Sequence, residues 1–139
     1  MRAYAMRITA GLLLAFAGLA PAFAHHSVAG VFDVTKTVKL SGTVSRVDWI
    51  NPHTYIYVDV KDAGGAVTTW KLESLPVAMM RKAGLSRQLI LGDGQHVVVE
   101  AHPARNGTPA LGFVLKINYD DGRHYQFSRG PDDKPVFVQ

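Results

Sequence analysis

Cysteine is missing from the chain altogether. Its absence excludes disulfide staples, a lipid-anchored N-terminal cysteine and every metal site built on thiolates. Stability has to come from packing alone. An apolar run long enough to span a bilayer is missing too. Spanning takes about 20 residues, and the stretch Ile8 to Ala20 has 13. No block of lysine or arginine makes the footprint of a nucleic-acid binder, so no nucleic-acid partner is expected. The common catalytic signatures are absent as well. There is no Gly-x-Ser-x-Gly elbow, no His-Glu-x-x-His helix and no pair of carboxylates set apart for acid–base work. On these grounds no enzymatic activity is expected.

What is present begins with a leader pattern. Arg2 and Arg7 precede the apolar run, Pro21 breaks it, and Ala22-Phe23-Ala24 is an A-x-A cleavage signal. This is the layout of a secretory signal peptide over residues 1–24, and it predicts export to the periplasm. Cleavage after Ala24 leaves 115 residues and no membrane span. It also removes two of the positive charges. The precursor is +4, whereas the remainder has 13 basic against 11 acidic residues, or +2. One domain of this length should bury roughly 65% of its unfolded surface.

Residues 25–37 show no clear period and read as an extended N-terminal arm, ordered only by docking, with Val31 and Phe32 placed to tuck against the barrel. Residues 38–127 alternate in the manner of strands. Val38, Leu40, Gly42 and Val44 share one face, and then the phase slips to Val47 and Trp49. A slip of one residue predicts a bulge or sharp bend, and Gly42 permits close approach of another backbone. Residues 53–61 and 66–73 read as a hairpin around Asp62-Ala63-Gly64-Gly65. Residues 74–83 change to a helical period, with Ser74 as a cap, Pro76 in the first turn and Gly84 as the stop. Ser86 to Leu91 fits a further helical turn. His96–His102 and Leu111–Tyr119 are the fourth and fifth strands, and His124–Phe127 a short return strand. Residues 128–139 read as a tail whose Val136-Phe137-Val138 fits an edge pairing. Three strands, a short helix and two more strands is the order of an OB-fold. The prediction is a mainly β, five- to six-stranded Greek-key barrel with one short helix between strands 3 and 4.

Several pieces recur in a family pattern. Ala24-His25-His26-Ser27, Phe32-Asp33, Leu40-Ser41-Gly42-Thr43-Val44, Trp49-Ile50-Asn51-Pro52-His53, Trp70 and Gly92-Asp93 occur in this order. Together they resemble domain-of-unknown-function family 6152, a family of small exported bacterial proteins. The resemblance covers nearly the whole chain after the leader. Its most specific pieces are the His-His start and the Trp-x-Asn-Pro-His stretch. It implies an exported OB-like protein and carries over no catalytic residues. The barrel is also similar, more weakly, to periplasmic OB-fold proteins of the stress-induced type.

Chemistry-bearing residues fall in two places. In OB-folds the loops between strands 1 and 2 and between strands 4 and 5 line the ligand site. Here these loops supply Trp49, Asn51 and His53, and Arg105. They are the candidate ligand-binding residues for an unknown small ligand or protein partner. The structural alternative for His53 is a ring packed on Trp49, and for Asn51 a turn cap. The second place is the new N-terminus. A free amine on His25 with the His25 and His26 imidazoles, completed by His53, is a candidate Cu(II) site. Cleavage one residue earlier would put His26 third, the spacing for a square-planar Cu(II) chelate. His96 and His102 lie about 20 Å apart along one strand and cannot share a metal. A third reading, a structural or adaptor protein, would use an open barrel edge to pair with a partner.

Overall fold

The computed structural model describes residues 27–127. The leader, His25, His26 and the tail 128–139 lie outside the described residues. One helical turn, α1 (Val28–Val31), precedes β1 (Val38–Asp48), β2 (Tyr55–Lys61) and β3 (Val67–Glu73). Two short helices, α2 (Val77–Lys82) and α3 (Arg87–Leu91), follow. The chain then forms β4 (His96–Pro103), β5 (Leu111–Tyr119) and β6 (His124–Gln126). The strands run β3-β2-β1-β4-β5-β6, and a parallel pairing of β3 with β5 closes the first five into a barrel. This is the expected OB-like connectivity, with the helices between β3 and β4.

β1 makes the closure possible. Its first half pairs with β4, from Val38 opposite Ala101 to Thr43 opposite His96. Its second half pairs with β2, from Thr43 opposite Asp59 to Asp48 opposite Tyr55. The register with β2 shifts between Val44 and Arg46, so Ser45 is the surplus residue of a bulge. Leu40 and Val44 point inward before it, and Val47 points inward after it. The phase slip read from the sequence is therefore real. At Gly42 the backbone of β2 passes so close that a Cβ would collide with the carbonyl oxygen of Asp59.

The inward faces make one core. Ile56, Val58, Leu72, Met80, Ile90, Val97, Val99, Val114 and Ile117 are all fully buried in it. Met80 and Ile90 come from α2 and α3, so the helices plug one end of the barrel. Tyr119 seals this end. Its hydroxyl donates to the carbonyl of Ile90, and its ring lies where Gly92 would otherwise carry a Cβ. Ser74 differs from its expected role. It is buried, its hydroxyl lies 4.0 Å from Met80 Sδ, and α2 starts at Val77 with no side-chain cap. The real cap of this kind is Ser86, whose Oγ accepts from the Leu89 amide at 3.2 Å.

The arm is docked rather than simply extended. Phe32 is buried against Phe113, with ring centroids 5.7 Å apart, and bridges to Ala104. The Asp33 amide donates to Pro103 O at 2.8 Å, and His102 Nδ1 meets Lys36 O at 2.7 Å. Asp33 then orders the turn into β1. The Thr35 hydroxyl and the Lys36 ammonium donate to its carboxylate and hold its pKa at about 2 instead of 3.8.

Two outcomes follow from these contacts. Gly42→Ala should destabilise the barrel by about 1–3 kcal/mol, the usual range for overpacking, as read by the urea midpoint. Gly64→Ala, whose Cβ would meet only ordinary contact, should stay within about 0.5 kcal/mol. Asp33 has a depressed folded pKa, so its contribution is present above the ordinary carboxylate value and is lost as pH falls toward 2. Amide exchange of residues 33–36 should therefore quicken relative to the barrel between pH 4 and 2. Asp33→Asn should show the looser turn at all pH values.

Candidate binding face

The bulge at Ser45 decides what β1 shows to solvent. Without it Arg46 would follow Val44 into the core. With it, Arg46 and Asp48 face outward beside β2. The outward face of β2 carries Tyr55, Tyr57 and Asp59, because Ile56 and Val58 are committed to the core. Across the hairpin, Tyr55 stands opposite Glu73, Tyr57 opposite Lys71 and Asp59 opposite Thr69. Three strands thus lay alternating rings and charges on one surface.

These side chains are tied to one another. The Arg46 guanidinium lies 3.8 Å from the centroid of the Tyr57 ring. The Tyr57 hydroxyl donates to Asp48 Oδ2 at 2.9 Å, and Arg46 Nε lies 3.2 Å from Asp48 Oδ1. Lys71 Nζ lies 4.3 Å from the centroid of the Tyr55 ring. The Thr69 hydroxyl donates to Asp59 Oδ1 at 2.6 Å. Burial, then the Glu73 carboxylate and Tyr57, raise the pKa of the Tyr55 hydroxyl, so it remains a neutral donor at physiological pH. Each ring therefore has a cation over it, a contact worth about 0.5–1 kcal/mol at an exposed site. A ligand can displace such a cover at small cost.

The β1–β2 corner rises at one end of this face. Trp49 is half-buried and packs against the core, so its ring is partly committed to the barrel. Ile50, Asn51 and Pro52 form an exposed tip, with a cis peptide between Asn51 and Pro52. The base of the corner is clamped. The Thr54 amide donates to Leu75 O at 3.2 Å, and the Ser74 amide donates to Thr54 O at 2.9 Å. His53 is half-buried between tip and base. Its Nδ1 lies 2.6 Å from Glu73 Oε1, close enough for an ion pair but not aligned as a hydrogen bond. The partner of His53 is thus a carboxylate from β3.

The other candidate residues are placed as follows. Arg105 holds the arm: Nε donates to Ala29 O at 2.9 Å, Nη2 to Phe32 O at 3.4 Å, and its amide to Val31 O at 2.9 Å. His25 and His26 lie outside the described residues. Among the described residues no three His, Cys, Asp or Glu side chains gather in a group that could hold a metal ion. No helix among the described residues is long and apolar enough to cross a membrane. Arg46, Lys71 and Glu73 were not singled out from the sequence. The hairpin register was a usable signal for two of them, since it sets Tyr57 against Lys71 and Tyr55 against Glu73.

Comparison with known families gives one match. The family model described as "Family of unknown function (DUF6152)" matches residues 13–112. No match was found among curated proteins or among solved structures.

The corner clamp and the ion pair make separable contributions. Glu73→Gln should cost about 1 kcal/mol, since the His53 and Glu73 side chains are only partly exposed, at 32% and 24%. It should leave the amide shifts of residues 54 and 74–75 in place. A loss above about 3 kcal/mol in urea unfolding would show that the His53–Glu73 contact, not the backbone clamp, holds the corner.

Proposed function

The chain belongs to this family of unknown function, and we propose that it is an exported OB-like binding module. Its ligand would lie across the outer face of β1, β2 and β3, against the corner that carries Trp49, Asn51 and His53. The observation that carries this reading is the pair of tyrosine rings, Tyr55 and Tyr57, each covered by a cation from a neighbouring strand. Aromatic rings on a sheet face are the usual stacking platform of OB-like barrels. The charges around them are mixed: Arg46 and Lys71 against Asp48, Asp59 and Glu73. This balance favours a ligand with a flat, weakly charged ring face over a polyanion. Export is supported by the leader pattern of residues 1–24. Processing after Ala24 would give a mature chain that starts at His25.

A fragment screen followed by amide chemical shifts tests the binding face. Ring-containing fragments should perturb residues 46–57 and 69–73 together, and Tyr57→Ala should weaken those hits at least tenfold. Hits that avoid this face, or that bind the variant equally well, would overturn the reading. Intact-mass analysis of the exported protein should give a chain beginning at His25.

A further inference from the structure

Toward the beginning of β1, away from Arg46, three side chains from distant parts of the chain meet in a line. Ser41 stands on the outer face of β1, His96 opens β4, and Asp120 follows β5. The register explains the meeting. Thr43 is opposite His96, so Ser41 is the diagonal neighbour of His96 on the same face. Val97 is opposite Tyr119, which brings Asp120 to the head of β4. Ser41 Oγ lies 2.8 Å from His96 Nε2, and His96 Nδ1 lies 3.0 Å from Asp120 Oδ1.

The atoms fix the direction of these bonds. A carboxylate only accepts, so Nδ1 of the neutral imidazole carries the proton and Nε2 presents its lone pair. The Ser41 hydroxyl then donates to Nε2. This is the donor order of a Ser-His-Asp relay, which is recognised by geometry and roles rather than by sequence position. An open cavity of about 460 Å³ adjoins it, with Thr43, Asp59, Lys61 and Val67 on its walls beside Ser41 and His96.

We propose that Ser41, His96 and Asp120 form a solvent-open nucleophilic site that hydrolyses short-chain carboxylic esters. The proposal does not rest on the binding face, although Asp59 of that face also lines this cavity. In the first step Ser41 Oγ bonds to the acyl carbon as its proton passes to His96 Nε2, and the carbonyl π pair moves to oxygen. The intermediate collapses, the bond to the alcohol oxygen breaks, and the departing alcohol takes the proton from His96. Water then attacks the acyl-serine while His96 takes its proton. Ser41 leaves, regains that proton, and the carboxylic acid departs. Asp120 holds the imidazole tautomer throughout. The His96 side chain is 46% exposed and that of Asp120 67%. Solvent screening of this kind suits small, activated esters and slow turnover, not a deep specificity pocket.

The full-length exported protein should be tested with a fluorophosphonate probe and with p-nitrophenyl acetate. A single adduct at Ser41 is expected. Ser41→Ala should abolish labelling and esterase turnover. His96→Ala should lower both by about 10²–10⁴-fold, the usual size of a general-base contribution, and free imidazole should restore part of the loss. Asp120→Asn should slow both at least tenfold. Ser27→Ala, an exposed serine whose side chain makes no cap bond, should change neither. Circular dichroism should show every variant folded, since the altered side chains are exposed. The proposal is overturned if labelling scatters over several serines or is no faster than in the denatured chain. Unchanged labelling in His96→Ala would overturn it as well and leave the three residues as a strap between strands.

Discussion

The barrel depends on one strand satisfying two partners. β1 has eleven residues, and it gives its first half to β4 and its second half to β2. A straight strand of fixed phase would keep the same side chains inward along its whole length. The extra residue at Ser45 breaks that rule once, at the point where the partner changes. Leu40 and Val44 fill the core from one half, and Val47 fills it from the other. The same residue turns Arg46 and Asp48 outward beside Tyr57. Core packing and surface chemistry are therefore set by a single backbone irregularity, and neither can be altered at Ser45 without the other.

Much of this architecture was legible because it rests on local alternation. The even-to-odd slip in β1, the glycine at the close crossing with β2 and the hairpin around residues 62–65 are all patterns within a dozen residues. The helical stretch between β3 and β4 was legible from its changed period, although Ser74 reads as its cap and is instead buried ahead of it. Its hydroxyl and backbone belong to the join between the corner and the core. The arm was harder to read. Phe32 reads as a residue that can tuck against the barrel, but its partners Phe113 and Ala104, more than seventy residues later, do not show in the sequence.

The candidate sites show the same division. Alternation along β2 puts its tyrosines on one face, but it does not show their covers, because Arg46 and Lys71 reach them from other strands. His53 stands out, whereas Glu73 needs the register of β3 to become its partner. Arg105 stands out as a cation in the second OB loop, yet its donors serve backbone carbonyls of the arm. The alignment of Ser41, His96 and Asp120 is wholly a product of pairing across 79 residues of chain. Spacing rules and short motifs cannot see a constellation whose members share no segment.

β5 touches β4 along one edge, β6 and then β3 along the other. It is the piece that turns a curled sheet into a closed ring, and it lies late in the chain. A chain delivered from its N-terminus can form the β2–β3 hairpin early, since those residues are neighbours. β1 must wait for residues 96–101 before its first half has a partner, and the ring must wait for residues 111–113 to reach β3. Until then the apolar faces of four strands stay open. Such an order of events postpones the commitment to a compact shape until residues 111–113 have met β3.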